Sequence, residues 1–241
     1  MRFLLLALLP FLAALDGCRE KDGNTTDTSS NRFTEKPAAD ALYRDADEPT
    51  ADRIADLINR MTLEEKVAQV TAVWADKKKM YGPNFSFDPD SAAVRMPLGI
   101  GHVTRPSERQ GPPEPGRTGA EEVTYLNTLQ KWMVEETRLG IPALAHEESL
   151  HGLAATNATS WGQPISVAAT FNRDLTRQLY TIAARQTASR GGHVVLTPVV
   201  DVARDPRWGR VEETFGEDFA LIPLIIVALE AEDGLEAELG G

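Results

Sequence analysis

Phe3 to Leu15 is almost continuously apolar, interrupted only by Pro10, and follows a basic Met1-Arg2 start. The run falls short of the about 20 apolar residues that a spanning helix needs. It fits the apolar core of an export signal. Residues 19 to 40 are polar, rich in Thr, Ser, Asn and Asp. They cannot bury a core and read as a flexible tether. Helical periodicity begins beyond it. Ile54, Leu57, Ile58 and Met61 recur at i, i+3, i+4 and i+7, which predicts an amphipathic helix. Thr62 followed by Glu65 has the capping-box spacing, which predicts a second short helix with Val67 and Val70 turned inward.

Strands and helices then alternate. Leu98 to Val103 predicts a short buried strand, between Pro- and Gly-broken loops at 76–96 and 107–119. From Ala120 to Leu139 the pattern is helical, with Val123, Leu126 and Met133 on one face and Gly140 suited to the C-cap. Ile141 to Ala145 reads as a strand. A further helix starts at Asn172 or Arg173, turns Leu175, Leu179, Ile182 and Ala183 inward, and ends at Gly191-Gly192. His193 to Val200 is an apolar run of the kind buried on both faces of a parallel sheet. This alternation predicts parallel strands with helical crossovers. Polar clusters follow the strands, where an α/β barrel carries its functional residues. The fold expected is a TIM-like (β/α)8 barrel, with a doubly wound sheet as the alternative.

The length of 241 residues suits one barrel-sized domain or two small ones. The net charge of -11 would repel a phosphate backbone, so nucleic acid is an unsuited partner, whereas a neutral sugar is compatible. The single cysteine, Cys18, excludes an intramolecular disulfide and a Cys-based zinc site. Leu15-Asp16-Gly17-Cys18 resembles a bacterial lipobox, in which a small residue precedes the cysteine that is lipidated after cleavage. This makes Cys18 a candidate lipid anchor, holding the protein on a membrane surface without spanning it. A plain secretory signal is the alternative. The expected organisation is a signal peptide over 1–18, a flexible linker over 19–45 and one folded region over 46–241. The expected location is the periplasm or the outer membrane of a bacterium, or the medium.

Two clusters carry candidate chemistry. The first, His146-Glu147-Glu148-Ser149-Leu150-His151, places two carboxylates and two histidines at a strand end. Its histidines are five apart, which turns them about 140° from each other on a helix and argues against the zinc-protease spacing. No metal or cofactor is expected. An ionised Glu can instead accept from two neighbouring hydroxyls at once, which suits a sugar ring. For Glu147 the favoured role is structural, pairing with a nearby Arg to shape the loop. His151 reads as an orienting histidine. The second cluster runs from Asp201 to Asp218 and holds three arginines, Trp208 and six acidic residues. Arg donates in a planar fork to hydroxyls or carboxylates. Trp208 offers a face to stack on a sugar or to pack in the wall. Arg204 with Asp201 or Asp205, and Arg207 with Glu212 or Glu213, are the expected bracing pairs.

Three stretches resemble the N-terminal domain of glycoside hydrolase family 3, of the bacterial β-glucosidase and β-xylosidase type. They are Arg60-Met-Thr-Leu-Glu-Glu-Lys-Val67, the Gly-Ile-Pro-Ala-Leu-Ala-His-Glu-Glu-Ser-Leu-His-Gly stretch from Gly140, and the stretch from Asp201 through Trp208-Gly-Arg210 to Asp218. With Gln163 to Phe171 the likeness runs in one order from about residue 50 to 220. The resemblance implies a barrel that binds a terminal β-linked sugar, with Glu148 and Arg210 contacting ring hydroxyls and Trp208 and His151 in support. It implies retaining hydrolysis by an Asp nucleophile and a separate acid. The family's Lys-His pair and nucleophile motif do not occur here, so both catalytic carboxylates are expected in further sequence and the barrel is expected to be incomplete. The alternative function is a non-catalytic, surface-tethered carbohydrate-binding module.

Overall fold

In the computed structural model, residues 35–109 and 115–218 are described. The expected export signal, Cys18 and the stretch from 219 onward lie outside them. Among the described residues no helix is long and apolar enough to cross a membrane.

The chain runs through α1 (Thr50–Arg60), α2 (Leu63–Gln69), β1 (Ala72–Val73), α3 (Pro89–Arg95), β2 (His102–Thr104), α4 (Gly119–Glu136), β3 (Leu144–Glu147), α5 (Pro164–Ala168), α6 (Arg173–Ala188) and β4 (Val194–Val195). The four strands form one parallel sheet in the order β1-β2-β3-β4, in register Val103↔Ala145 and Glu147↔Val195. A doubly wound sheet reverses its strand order at a switch point. Here each strand lies beside the next in sequence, with helices in every crossover. The arrangement is an arc of the (β/α)8 barrel, and all four strands end on one rim.

Local chemistry sets the helix starts. Thr62 and Glu65 form the expected capping box on α2. A second one, Thr118 with Glu121, opens α4 and was not foreseen. The Asn172 side chain caps α6. The core lies between α3, α4 and the outer sheet face, where Met96, Tyr125, Leu129, Trp132 and Met133 pack on Val103 and Ala145. Strand alternation puts Glu147 and Val195 on that same face, and His102, Leu144, His146 and Glu148 on the other.

Several expectations shift. β2 and β3 start three or four residues later than predicted, because Gly99 and Gly140 take left-handed φ values of 79° and 66° and turn the chain first. Gly140 therefore lies beyond the C-cap of α4, which is Thr137. Only Val194 and Val195 of the run from His193 to Val200 pair as strand, and Val194, Leu196 and Val200 are exposed at the sheet's edge rather than buried on both faces. On α6 the buried line is Thr176, Tyr180, Ala183 and Thr187, so Ile182 is exposed while Ala183 is enclosed as expected. Val67 and Val70 are exposed, as are Ile54 and Ile58. For Ile54 and Ile58 the reason is that α1 packs through its polar side. Asp56 accepts from the Tyr43 backbone N–H, Arg53 donates to the Tyr43 carbonyl, and Arg60 pairs with Asp56 at 2.9 Å. The end of the expected linker is accordingly not free. Leu42–Arg44 forms a 3-10 turn, and the Tyr43 hydroxyl donates to the Leu139 carbonyl at 2.7 Å.

Candidate functional site

Three strands deliver a polar or aromatic residue directly after their last paired position, Trp74 after β1, Arg105 after β2 and Glu148 after β3, and the 201–210 loop follows β4 after five intervening residues. Glu148 sits at the centre. Its Oε1 lies 3.2 Å from Arg105 Nη2, with the two side chains 23% and 30% exposed. The Arg105 guanidinium also donates to Glu108 at 2.9 Å and stacks over the Trp74 ring, 4.9 Å from its centroid. Glu148 thus keeps an open approach while one edge of its carboxylate is held.

Arg210, exposed just before the 3-10 turn Val211–Glu213, donates to Glu213 at 2.8 Å. Its pKa is raised above the ordinary arginine value by its hydrogen bond and charge pairing with Glu213, and further by the charges of Glu148 and Asp201. Trp208 is partly exposed, its N–H bonded to the Asp205 carbonyl at 3.1 Å. His151 is half-buried, and its carbonyl accepts from the Trp161 N–H at 3.0 Å. The bracing pairs differ from those expected. Arg207 forks onto Asp205, two residues away, and Arg210 onto Glu213, three residues away across the 3-10 turn Val211–Glu213.

A buried layer supports the rim. Glu147, enclosed behind Glu148, does not pair with an arginine. Its oxygens accept from the Ser107 backbone N–H at 2.7 Å and the Ser107 hydroxyl at 2.8 Å. Its second neighbour is Glu122 of α4, wholly enclosed and 3.4 Å from Arg190. Burial first, then the charge of Glu147, push the Glu122 carboxyl up to about 8, which favours its neutral form beside Glu147. Burial also raises Glu147, against the Ser107 bonds, the Glu122 bond and the Lys77 charge. Lys77 is enclosed too. Its ammonium donates to the Thr104 carbonyl at 2.9 Å and the Arg105 carbonyl at 2.6 Å. Burial lowers its pKa to about 8, against the pull of Glu108 and Glu147. Arg117 staples the same loop by donating to the carbonyls of Pro106, Glu108 and Phe85, each at 2.7 Å. Among the described residues no group of three His, Cys, Asp or Glu side chains is placed to hold a metal ion.

Sequence reading missed Trp74, Lys77, Arg105 and Ser107. The available signal was position: Arg105 is the first charged residue after the apolar-flanked strand His102-Val-Thr, just as Glu148 follows Leu144 to Glu147.

Together these features define a (β/α) barrel arc with a polar, partly aromatic site on its strand-end rim. Residues 62–235 match the glycosyl hydrolase family 3 N-terminal domain, and the chain belongs to that family. A protein of Formosa agariphila that carries a β-xylosidase name is 33% identical over 200 residues, covering 83% of this chain and 25% of its own. The periplasmic β-glucosidase/β-xylosidase of Dickeya chrysanthemi is 30% identical over 187 residues, covering 73% and 27%. The solved β-glucosidase of Erythrobacter marinus superposes with a TM-score of 0.64 at 35% identity, covering 80% of this chain and 24% of that one. The chain therefore spans about a quarter of the length of these relatives.

Proposed function

We propose that this chain supplies the subsite for the terminal sugar in retaining hydrolysis of β-glucosides or β-xylosides, within carbohydrate breakdown outside the cytoplasm. The observation that carries the reading is Glu148 itself, which follows β3 at the strand-end rim, half-buried, with Arg105 on one carboxylate oxygen; Arg210, exposed in the loop beyond β4, is the proposed donor beside it. A carboxylate accepts from vicinal hydroxyls and a guanidinium donates to them, so the pair matches both polarities of a sugar ring. Trp208 offers an apolar face to the ring, and His151 orients the loop behind Glu148. The relatives' β-glucosidase and β-xylosidase names agree with a neutral β-linked sugar. In this reading residues 1–18 direct export, Cys18 carries the lipid anchor, and the chain before residue 35 tethers the barrel to the membrane surface.

Thermal unfolding with and without glucose or xylose tests this. Either sugar raises the midpoint of the wild type, and Glu148→Ala and Arg210→Ala each remove the shift. An equal shift in all three proteins would place the sugar elsewhere. Hydrolysis of nitrophenyl β-glycosides separates the two functional readings. Turnover with the β-anomer as first product supports the retaining enzyme, and sugar binding without turnover supports the carbohydrate-binding module.

A further inference from the structure

Arg105 departs from the strand that delivers it. Alternation along β2 would place residue 105 with Val103 on the helix-facing side of the sheet. Its backbone instead takes a left-handed φ of 47°, and the guanidinium meets Glu148, which belongs to the opposite face. A long side chain in that region carries strain, which persists only where the surroundings over-determine it. Here they do. The Arg105 N–H is bonded to the His146 carbonyl at 2.7 Å, and buried Lys77 holds the carbonyls on both sides of the turn.

Stability does not account for this arrangement. The Arg105–Glu148 pair is partly open to solvent, where ion pairs contribute little. Arg105 Nε is enclosed and has no hydrogen-bond partner among the described residues, which adds a cost. Arg117 shows what a structural arginine looks like in this protein: it is 2% exposed and spends its fork on three backbone carbonyls. Arg105 spends its fork on two carboxylates and its face on Trp74.

We propose that Arg105 is a positioning residue for sugar recognition: bridged between Glu108 and Glu148 and stacked on Trp74, it fixes the Glu148 carboxylate so that its remaining lone pairs point at ring hydroxyls. The proposal rests on the sugar-site reading above. The strain at residue 105 is the cost of bringing a cation from the neighbouring strand to the carboxylate that touches substrate. Lysine cannot replace it, because a point charge does not bridge two carboxylates while lying flat on an indole.

A double-mutant cycle tests this. The probe is methyl β-xyloside or methyl β-glucoside, measured by calorimetric titration against wild type, Arg105→Ala, Glu148→Gln and the double variant, with circular dichroism and thermal unfolding alongside. Glu148→Gln keeps an acceptor for the sugar but removes the charge that holds Arg105. Arg105→Ala is expected to weaken binding at least about tenfold in the wild type, the scale of one lost charge-assisted bond. In the Glu148→Gln background it should cost several-fold less, and Arg105→Lys should fold without restoring affinity. Equal losses in both backgrounds, unchanged affinity in Arg105→Ala, or full rescue by lysine would overturn the proposal and leave the sugar site standing. No binding by the folded wild type would overturn the sugar site and this proposal together.

Discussion

Replacing Glu122 by Gln tests the buried layer that supports the rim. Glu122 is wholly enclosed, faces the Glu147 carboxylate and lies 3.4 Å from Arg190. Burial and Glu147 push the group up to about 8, above its ordinary value of 4.5. The folded state therefore holds a proton that the unfolded chain releases near pH 4.5. The stabilisation is fully present below that pH and is lost as pH rises through about 8. The slope is limited to about 1.4 kcal/mol per pH unit for one proton, so the window from 5 to 8 carries at most about 4 kcal/mol. Gln is isosteric, keeps a donor for Glu147 and cannot titrate. Urea unfolding at half-unit pH steps, followed by tryptophan fluorescence, gives the readout. Wild-type stability should fall across the window more steeply than that of Glu122→Gln, and the variant should be the more stable protein at pH 8. Parallel pH profiles for the two proteins would refute the neutral Glu122.

Two further substitutions follow from the packing. Glu65→Ala should cost about 3–5 kcal/mol in the same urea assay, because it breaks a largely buried ion pair with Arg138. Glu65 caps α2 through the Thr62 N–H and binds Arg138 at 2.5 and 2.7 Å, so a loss near the roughly 1 kcal/mol of a cap alone would show that the pair contributes little. Gly152→Ala should disrupt the loop after β3. Its φ is 98° and a Cβ would lie 2.0 Å from the Thr159 carbonyl oxygen, so thermal unfolding should show a drop of several degrees.

Helices α1, α2, α4 and α6 were legible because they rest on periodicity and on local hydrogen bonds, whereas β1, α3 and α5 are too short to show a period and α3 fell within the expected loop at 76–96. The Thr62–Glu65 capping box is contained within four residues and forms as read. Burial directions were less legible, because they depend on what covers each face. Ile54 and Ile58 mark an apolar stripe, yet the turn containing Tyr43 draws the opposite, polar side of α1 into contact. At the site, Glu148 and Arg210 are proposed from motifs that keep their neighbours in sequence. The partners of Glu148 and Glu147 lie about 40 residues away, on the turn after β2. No local pattern announces that Ser107 satisfies Glu147, or that Lys77 locks the Arg105 turn. The Glu65–Arg138 pair spans 73 residues and joins two stretches that the sequence presents as separate motifs.

The central claim is that the rim around Glu148 binds a terminal β-linked sugar. Calorimetric titration of methyl β-xyloside and methyl β-glucoside into wild type and Glu148→Ala tests it most directly, with the α-anomers as controls. The account predicts saturable binding of at least one β-anomer, weaker binding of its α-anomer, and loss of at least about tenfold in affinity in a Glu148→Ala protein that still folds. Equal affinity in the two proteins, or no sugar binding by the folded wild type, would contradict it.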